Sequence, residues 1–336
     1  MIRFLHVVAL LCITALPGAQ AQPVEQRDVT ISIGTWVIQY LPLPLAQAKG
    51  YFKDEGINVT IQNFQAGGSK ALQALVGGST DTVVGYYDHT ISMQAQHKDV
   101  RCVILLNALP GEVIAVRKGV TPPITSLKDF KGRKIGVTAL GSSTEFQLRY
   151  QAGKVGVTPD DMTVVPVGSG PTAIAAVERK AIDAIVTQDP TATVMQRRGL
   201  VDILLDARTL DGTIKAFGGR YPTTCLYATG AYIESHPGTI QHLVNAFART
   251  LRFIADSSPA DIVAALPPEY VLGDKDTFTE IVEKSRPIFP RVGRFNVEDL
   301  KLPRDLLASF DERIRNTTID FEKTYTNRFV DAAPTK

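Results

Sequence analysis

Two stretches of this chain, 102 residues apart, carry the same pattern, and that repeat constrains the fold more than any other feature. Gly67-Gly68-Ser69 opens a run with Ala71, Leu72, Leu75 and Val76 on one helical face. Gly77-Gly78 ends the run, and Thr82-Val83-Val84 suits a buried strand. Further on, Ser169-Gly170-Pro171 leads through Ala173, Ile174 and Val177 to a second apolar run at Ile182–Thr187. At that offset Gly68 falls on Gly170, Ala71 on Ala173, Ala74 on Ala176, Asp81 on Asp183 and Val84 on Val186, without a gap. A loop, helix and strand written twice predict two similar α/β lobes.

The chain opens on Arg3, an apolar core over residues 4–16 and the small-x-small site Ala19-Gln20-Ala21. This reads as a secretory signal, residues 1–21, cleaved after Ala21. No later stretch is apolar enough to span a membrane, so the expectation is a periplasmic, monomeric protein that is not itself membrane-spanning. The net charge of +2, with no basic run or aromatic–basic stripe, argues against a nucleic-acid partner. Cys102 and Cys225 sit in apolar strand-like runs and read as two buried thiols rather than a disulfide.

Strands alternating with helices predict parallel sheets covered on both faces. Residues 28–116 and 222–336 are expected to form lobe 1, with C-terminal helices packed on it, and residues 117–221 lobe 2. Val113–Val116 reads as a strand leaving the first lobe and Thr223–Ala228 as one returning to it. Hinges are therefore expected near Val113–Arg117 and Arg220–Thr224. After Pro237 the pattern is helical, over Thr239–Ala255, Pro259–Ala265, Asp274–Ser285 and Val297–Arg315.

In open parallel sheets, ligands bind where strand ends enter helices. That rule selects six loops: Thr35–Tyr40, Gln65–Ser69, Tyr86–Asp88, Ala139–Thr144, Val167–Thr172 and Thr187–Asp189. Their glycines, hydroxyls and helix starts offer hydrogen-bond donors to a small anion. Gly141-Ser142-Ser143-Thr144 is the strongest of them, with the alternative that Ser143 or Thr144 is only a helix cap. Trp36, Tyr40, Tyr86 and Tyr87 could supply an aromatic wall. Asp88 and Asp189 either face a ligand or cap helices. Asp81 and Asp183 read as structural. His89 and His97, eight residues apart, do not share a helix face as metal ligands would. No Cys-x-x-Cys, Gly-x-Ser-x-Gly or Walker loop is present, so no catalytic group, metal or cofactor is predicted.

Pro44-Leu45-Ala46-Gln47-Ala48-Lys49-Gly50-Tyr51-Phe52-Lys53-Asp54-Glu55-Gly56-Ile57-Asn58-Val59 resembles a stretch of the periplasmic solute-binding proteins of ABC importers. The similarity is to their nitrate/sulfonate/taurine and thiamine-precursor-binding branch. Ala71–Asp81 and Leu127–Val137 resemble two further stretches of that family. The resemblance implies a type II periplasmic-binding fold: two doubly wound α/β lobes joined by two crossing strands, with the ligand cleft between them. It implies an ABC permease with its ATPase as partner. Carried over by position, it points to Trp36, Gln39, Gly68, Ser69, Ser142, Ser143, Thr144, Thr172 and Asp189 as ligand-binding, and the loop argument adds Tyr86 and Asp88. The expected ligand is a small organic anion, a sulfonate or carboxylate, aromatic or aliphatic. The alternatives are a thiamine-pyrimidine-precursor binder, a biosynthetic enzyme of the same fold, whose cysteine-rich motif is not visible here, and a periplasmic ligand sensor.

Overall fold

The computed structural model describes residues 23–272 and 274–335, so the expected signal at residues 1–21 lies outside the described residues. The repeat becomes two five-stranded sheets of one design. The first has the order β2 (Asn58–Asn63), β1 (Asp28–Ile33), β3 (Thr82–Tyr86), β10 (Thr224–Thr229), β4 (Val100–Leu105). The second has the order β7 (Thr163–Pro166), β6 (Lys134–Val137), β8 (Ala184–Gln188), β5 (Glu112–Arg117), β9 (Val201–Asp206). In both, the fourth strand runs antiparallel to its neighbours, so the sheets are mixed rather than wholly parallel.

That antiparallel strand is the one each lobe receives across the junction. β10 follows β9 in the chain but pairs with β3 and β4, and β5 follows β4 but pairs with β8 and β9. Glu112–Val116 therefore belongs to the second sheet and not to the end of the first lobe. The alternation explains it: Val113 and Ala115 enter one core of that sheet, Ile114 and Val116 the other. The chain crosses earlier, where Thr223 N–H donates to the Asn107 carbonyl at 3.0 Å and Leu106 N–H to that of Thr224 at 2.7 Å.

The repeated aspartates have one job. Asp81 accepts from Thr30 N–H at 2.7 Å, and Asp183 accepts from Lys134 N–H at 3.0 Å. Each ties the start of the repeated strand to the strand beside it. Val84 and Tyr86 of β3 face one core of the first lobe and Val83 the other.

Cys102 of β4 and Cys225 of β10 form a disulfide, with their Cα atoms 5.9 Å apart, which corrects the reading of two thiols. They are 123 residues apart in the chain, and only the return of β10 beside β4 makes them neighbours. The helix Pro237–Asp256 packs on the first lobe, Phe247 meeting Phe52 edge-on. The helix expected over Val297–Arg315 is broken into Val297–Leu300, Lys301–Ala308 and Glu312–Arg315, because Asp311 caps a new turn by accepting from Arg313 N–H. Among the described residues no helix is long and apolar enough to cross a membrane.

Candidate functional site

The carboxyl ends of the parallel strands in both sheets face one another, and the loops leaving them meet directly. Ile38 N–H donates to the Asp189 carbonyl at 2.8 Å. Ser69 N–H donates to Ser142 Oγ at 3.1 Å, and Ser69 Oγ to the Leu140 carbonyl at 2.9 Å. Ser143 Oγ donates to Asp88 Oδ1 at 2.8 Å. Gly67 makes this approach possible: a Cβ there would lie 2.6 Å from that of Ala139. The cleft is closed around a cavity of about 20 Å³, room for one or two waters.

Of the residues singled out from sequence, Gly68, Tyr86, Ser142, Ser143 and Thr144 line this cavity. Ser69 and Asp88 stand beside it through their bonds to Ser142 and Ser143. Thr144 Oγ1 accepts from Thr138 N–H at 3.0 Å and so closes its own loop. Gln39 lies behind the wall, donating to the Pro110 and Gly111 carbonyls at 3.0 Å each.

Three residues point elsewhere. Trp36 donates Nε1–H to the Tyr270 carbonyl at 3.0 Å and packs edge-on against the Tyr270 ring, while its neighbours Thr35 and Val37 reach the cavity. Thr172 is exposed, donates to the Ser169 carbonyl and lines an outer groove with Gln65 and Lys70. Asp189 caps, accepting from Thr193 N–H at 2.9 Å, and pairs with Arg208 at 3.3 Å.

Tyr40, named for the aromatic wall, also lines the cavity, as do His89, weighed from sequence only as a metal ligand, and Thr138 and Gln188, which were not singled out although Gln188 falls in a selected loop. Glu112 was not singled out either. Glu112 is the first residue of β5, opposite Gln188 at the end of β8. An antiparallel strand brings its amino end to the edge where parallel strands bring their carboxyl ends, so a rule based on strand exits passes over it. Gln188 Nε2 donates to Glu112 Oε1 at 2.8 Å.

The electrostatics are those of buried acids without a cation. Among the described residues no lysine or arginine lines the cavity. Burial pushes the Asp88 carboxyl up to about 7, against the Ser143 hydroxyl bond. Burial pushes Glu112 up to about 8, the Gln188 bond opposing and the Asp88 charge adding to the rise. Burial holds the His89 imidazole down to about 4, so near neutral pH it is uncharged, Nδ1 lying 3.2 Å from Tyr227 Oη. Near the helix start expected to receive an anion, Gly141 N–H donates to Glu145 at 2.6 Å and the Ser143 hydroxyl donates to Asp88.

The profile of the family described as NMT1/THI5 like matches residues 38–260. A 4-amino-5-hydroxymethyl-2-methylpyrimidine phosphate synthase of Aspergillus parasiticus is 25% identical over 304 residues, 87% of this chain and 83% of that protein. A solved structure from Bordetella bronchiseptica RB50 is 37% identical with a TM-score of 0.88, covering 93% of this chain and 98% of that one. The alkanesulfonate-binding protein SsuA of Xanthomonas axonopodis pv. citri, solved with MOPS, superposes with a TM-score of 0.68 at 18% identity, over 88% of this chain and 96% of that one. That last likeness is one of fold.

Proposed function

The chain belongs to the NMT1/THI5-like family and has the periplasmic solute-binding fold, and from that premise we propose that it captures one small organic solute by lobe closure and delivers it to an ABC permease with its ATPase. Residues 1–21 would direct its export. The observation that carries the reading is the set of direct hydrogen bonds between facing loops, Ser143 to Asp88 and Ser69 to Ser142. Closure makes these bonds and opening breaks them. A solute larger than the present cavity would sit between the same groups with the lobes slightly farther apart, its polar atoms replacing their partners. Contacts to both lobes favour the closed form by as much as the solute binds closed better than open. We infer capture rather than catalysis from the likeness in fold to solute-binding proteins and from the bonds that bridge the two lobes.

The sulfonate or carboxylate expected from sequence rests on the hydroxyls of residues 142–144. Those hydroxyls have protein partners here, Ser142 in Ser69, Ser143 in Asp88 and Thr144 in Thr138, and an organic anion would have to displace the Asp88 carboxyl to use that of Ser143.

The test is thermal unfolding of protein that has been unfolded, dialysed and refolded to strip bound solute. The panel holds taurine, alkanesulfonates, nitrate, aromatic carboxylates, thiamine pyrimidines, amines and amidines. The expected result is a melting temperature that rises with the concentration of at least one solute. A flat response to the whole panel would contradict the proposal.

A further inference from the structure

Among the polar atoms left without a partner in and around the cavity, beside His89 Nε2 and Tyr221 Oη, are four oxygens. Asp88 Oδ2, Glu112 Oε2, Gln39 Oε1 and Gln188 Oε1 have no hydrogen-bond partner among the described residues; the two amide oxygens are acceptors, and so are the two carboxyl oxygens once ionised. Their residues are 0 to 4% exposed. The amide orientations follow from the network: Gln39 Nε2 faces two carbonyls and Gln188 Nε2 faces a carboxylate, which leaves both amide oxygens over. Of the nearby hydroxyls, Ser143 donates to Asp88 Oδ1 and Tyr86 to the Pro110 carbonyl at 3.2 Å, the Tyr86 hydroxyl lying close to Glu112 and Gln188 too. The groups form one neighbourhood. Gln39 and Tyr86 share the Pro110 carbonyl, Gln188 bonds Glu112, and the Asp88 and Glu112 charges both act on Tyr40. A buried acceptor with no donor is costly to leave that way. Gln188 lines the cavity, Asp88 and Glu112 stand next to residues that do, and Gln39 lies behind the wall; with no lysine or arginine among the described residues of the lining, these oxygens call for donors from a solute.

Resting on the reading of this cleft as the solute site, we propose that the solute presents N–H donors on a basic nitrogen, an amine or an amidine, to Asp88 and Glu112, with the Gln39 and Gln188 amide oxygens taking the remaining N–H groups. A protonated nitrogen supplies both the missing donors and the missing positive charge. Its arrival favours the ionised carboxyls and so releases protons near pH 7, where Glu112 is largely and Asp88 about half protonated.

The experiment compares matched probes on the stripped, refolded protein: benzamidine against benzoate and benzenesulfonate, and butylamine against butyrate and butanesulfonate. The expected result is stabilisation by a base at least tenfold tighter than by its matched acids, with proton release seen by calorimetry in buffers of different ionisation enthalpy. Asp88→Asn and Glu112→Gln should each weaken that binding at least tenfold, and each variant's own melting transition reports whether it folds. Stabilisation by the acids and not the bases would overturn the donor assignment and leave solute capture standing. Failure of the bases, while some other solute of the wider panel stabilises, would do the same. Failure of every solute would take solute capture with it.

Discussion

Ser143 Oγ, at the start of a helix of the second lobe, donates to Asp88 Oδ1 of the first lobe across 2.8 Å. Both residues are buried, and the other Asp88 oxygen has no partner. The Ser143 hydroxyl, with the His89 backbone N–H behind it, offsets the burial of an ionised Asp88 in the closed cleft. Ser143→Ala should destabilise the protein by about 2 kcal/mol at pH 8, the scale of a hydrogen bond to a charged group. The cost should be smaller at pH 6, where Asp88 is mostly protonated. Melting curves of the variant and parent at the two pH values check this.

The buried acids also set a pH dependence. Asp88 and Glu112 are raised from 3.8 and 4.5 to about 7 and about 8. The stability tied to their protonated forms is fully present below about pH 4 and lost as pH rises through 7 and 8. His89 works the other way, since its contribution is present above 6.5 and lost as pH falls towards 4. Between pH 6.5 and 9 the two carboxyls dominate among these three groups, and the melting temperature should fall as pH rises. Asp88→Asn should flatten that slope and, at pH 8.5, stabilise the protein by up to about 4 kcal/mol, the linkage cost of a carboxyl whose folded pKa is raised from 3.8 to about 7. Calorimetry across the pH range reads both.

Gly34 is held by packing rather than by its φ. A Cβ at this position would lie 2.1 Å from the carbonyl carbon of Gly67 and 2.2 Å from its oxygen, and neither backbone atom can move aside cheaply. Gly34→Ala should cost about 3 kcal/mol, at the upper end for an overpacked site. The urea midpoint measures it.

The Cys102–Cys225 bond ties β4 to a strand that returns from beyond the other lobe. A cross-link over so long a loop restricts the unfolded chain strongly, so the double variant Cys102→Ala, Cys225→Ala should lose about 3 kcal/mol. Urea unfolding under oxidising conditions provides the comparison.

The two-sheet design was legible because the repeat is local: each copy holds its own loop, helix and strand, and Asp81 and Asp183 mark the same register position. The loops meeting at the cleft were legible for the same reason, since strand exits can be read from short-range pattern. What escaped depends on contacts made across long stretches of chain. Glu112 reaches the cleft because β5 runs against its neighbours. The disulfide needs β10 beside β4. Trp36 turns to Tyr270, 234 residues later, instead of joining an aromatic wall. Asp189 is ambiguous from sequence because its partner, Arg208, lies on the far side of β9 in the chain.

The most direct test of the account is small-angle X-ray scattering on stripped, refolded protein, with and without a saturating amount of the solute that raises its melting temperature most. The account predicts that the solute lowers the radius of gyration, as two lobes close on it, and that Ser143→Ala weakens this response. An unchanged radius at saturation, with the melting temperature still raised, would place the solute outside the cleft and contradict capture by lobe closure.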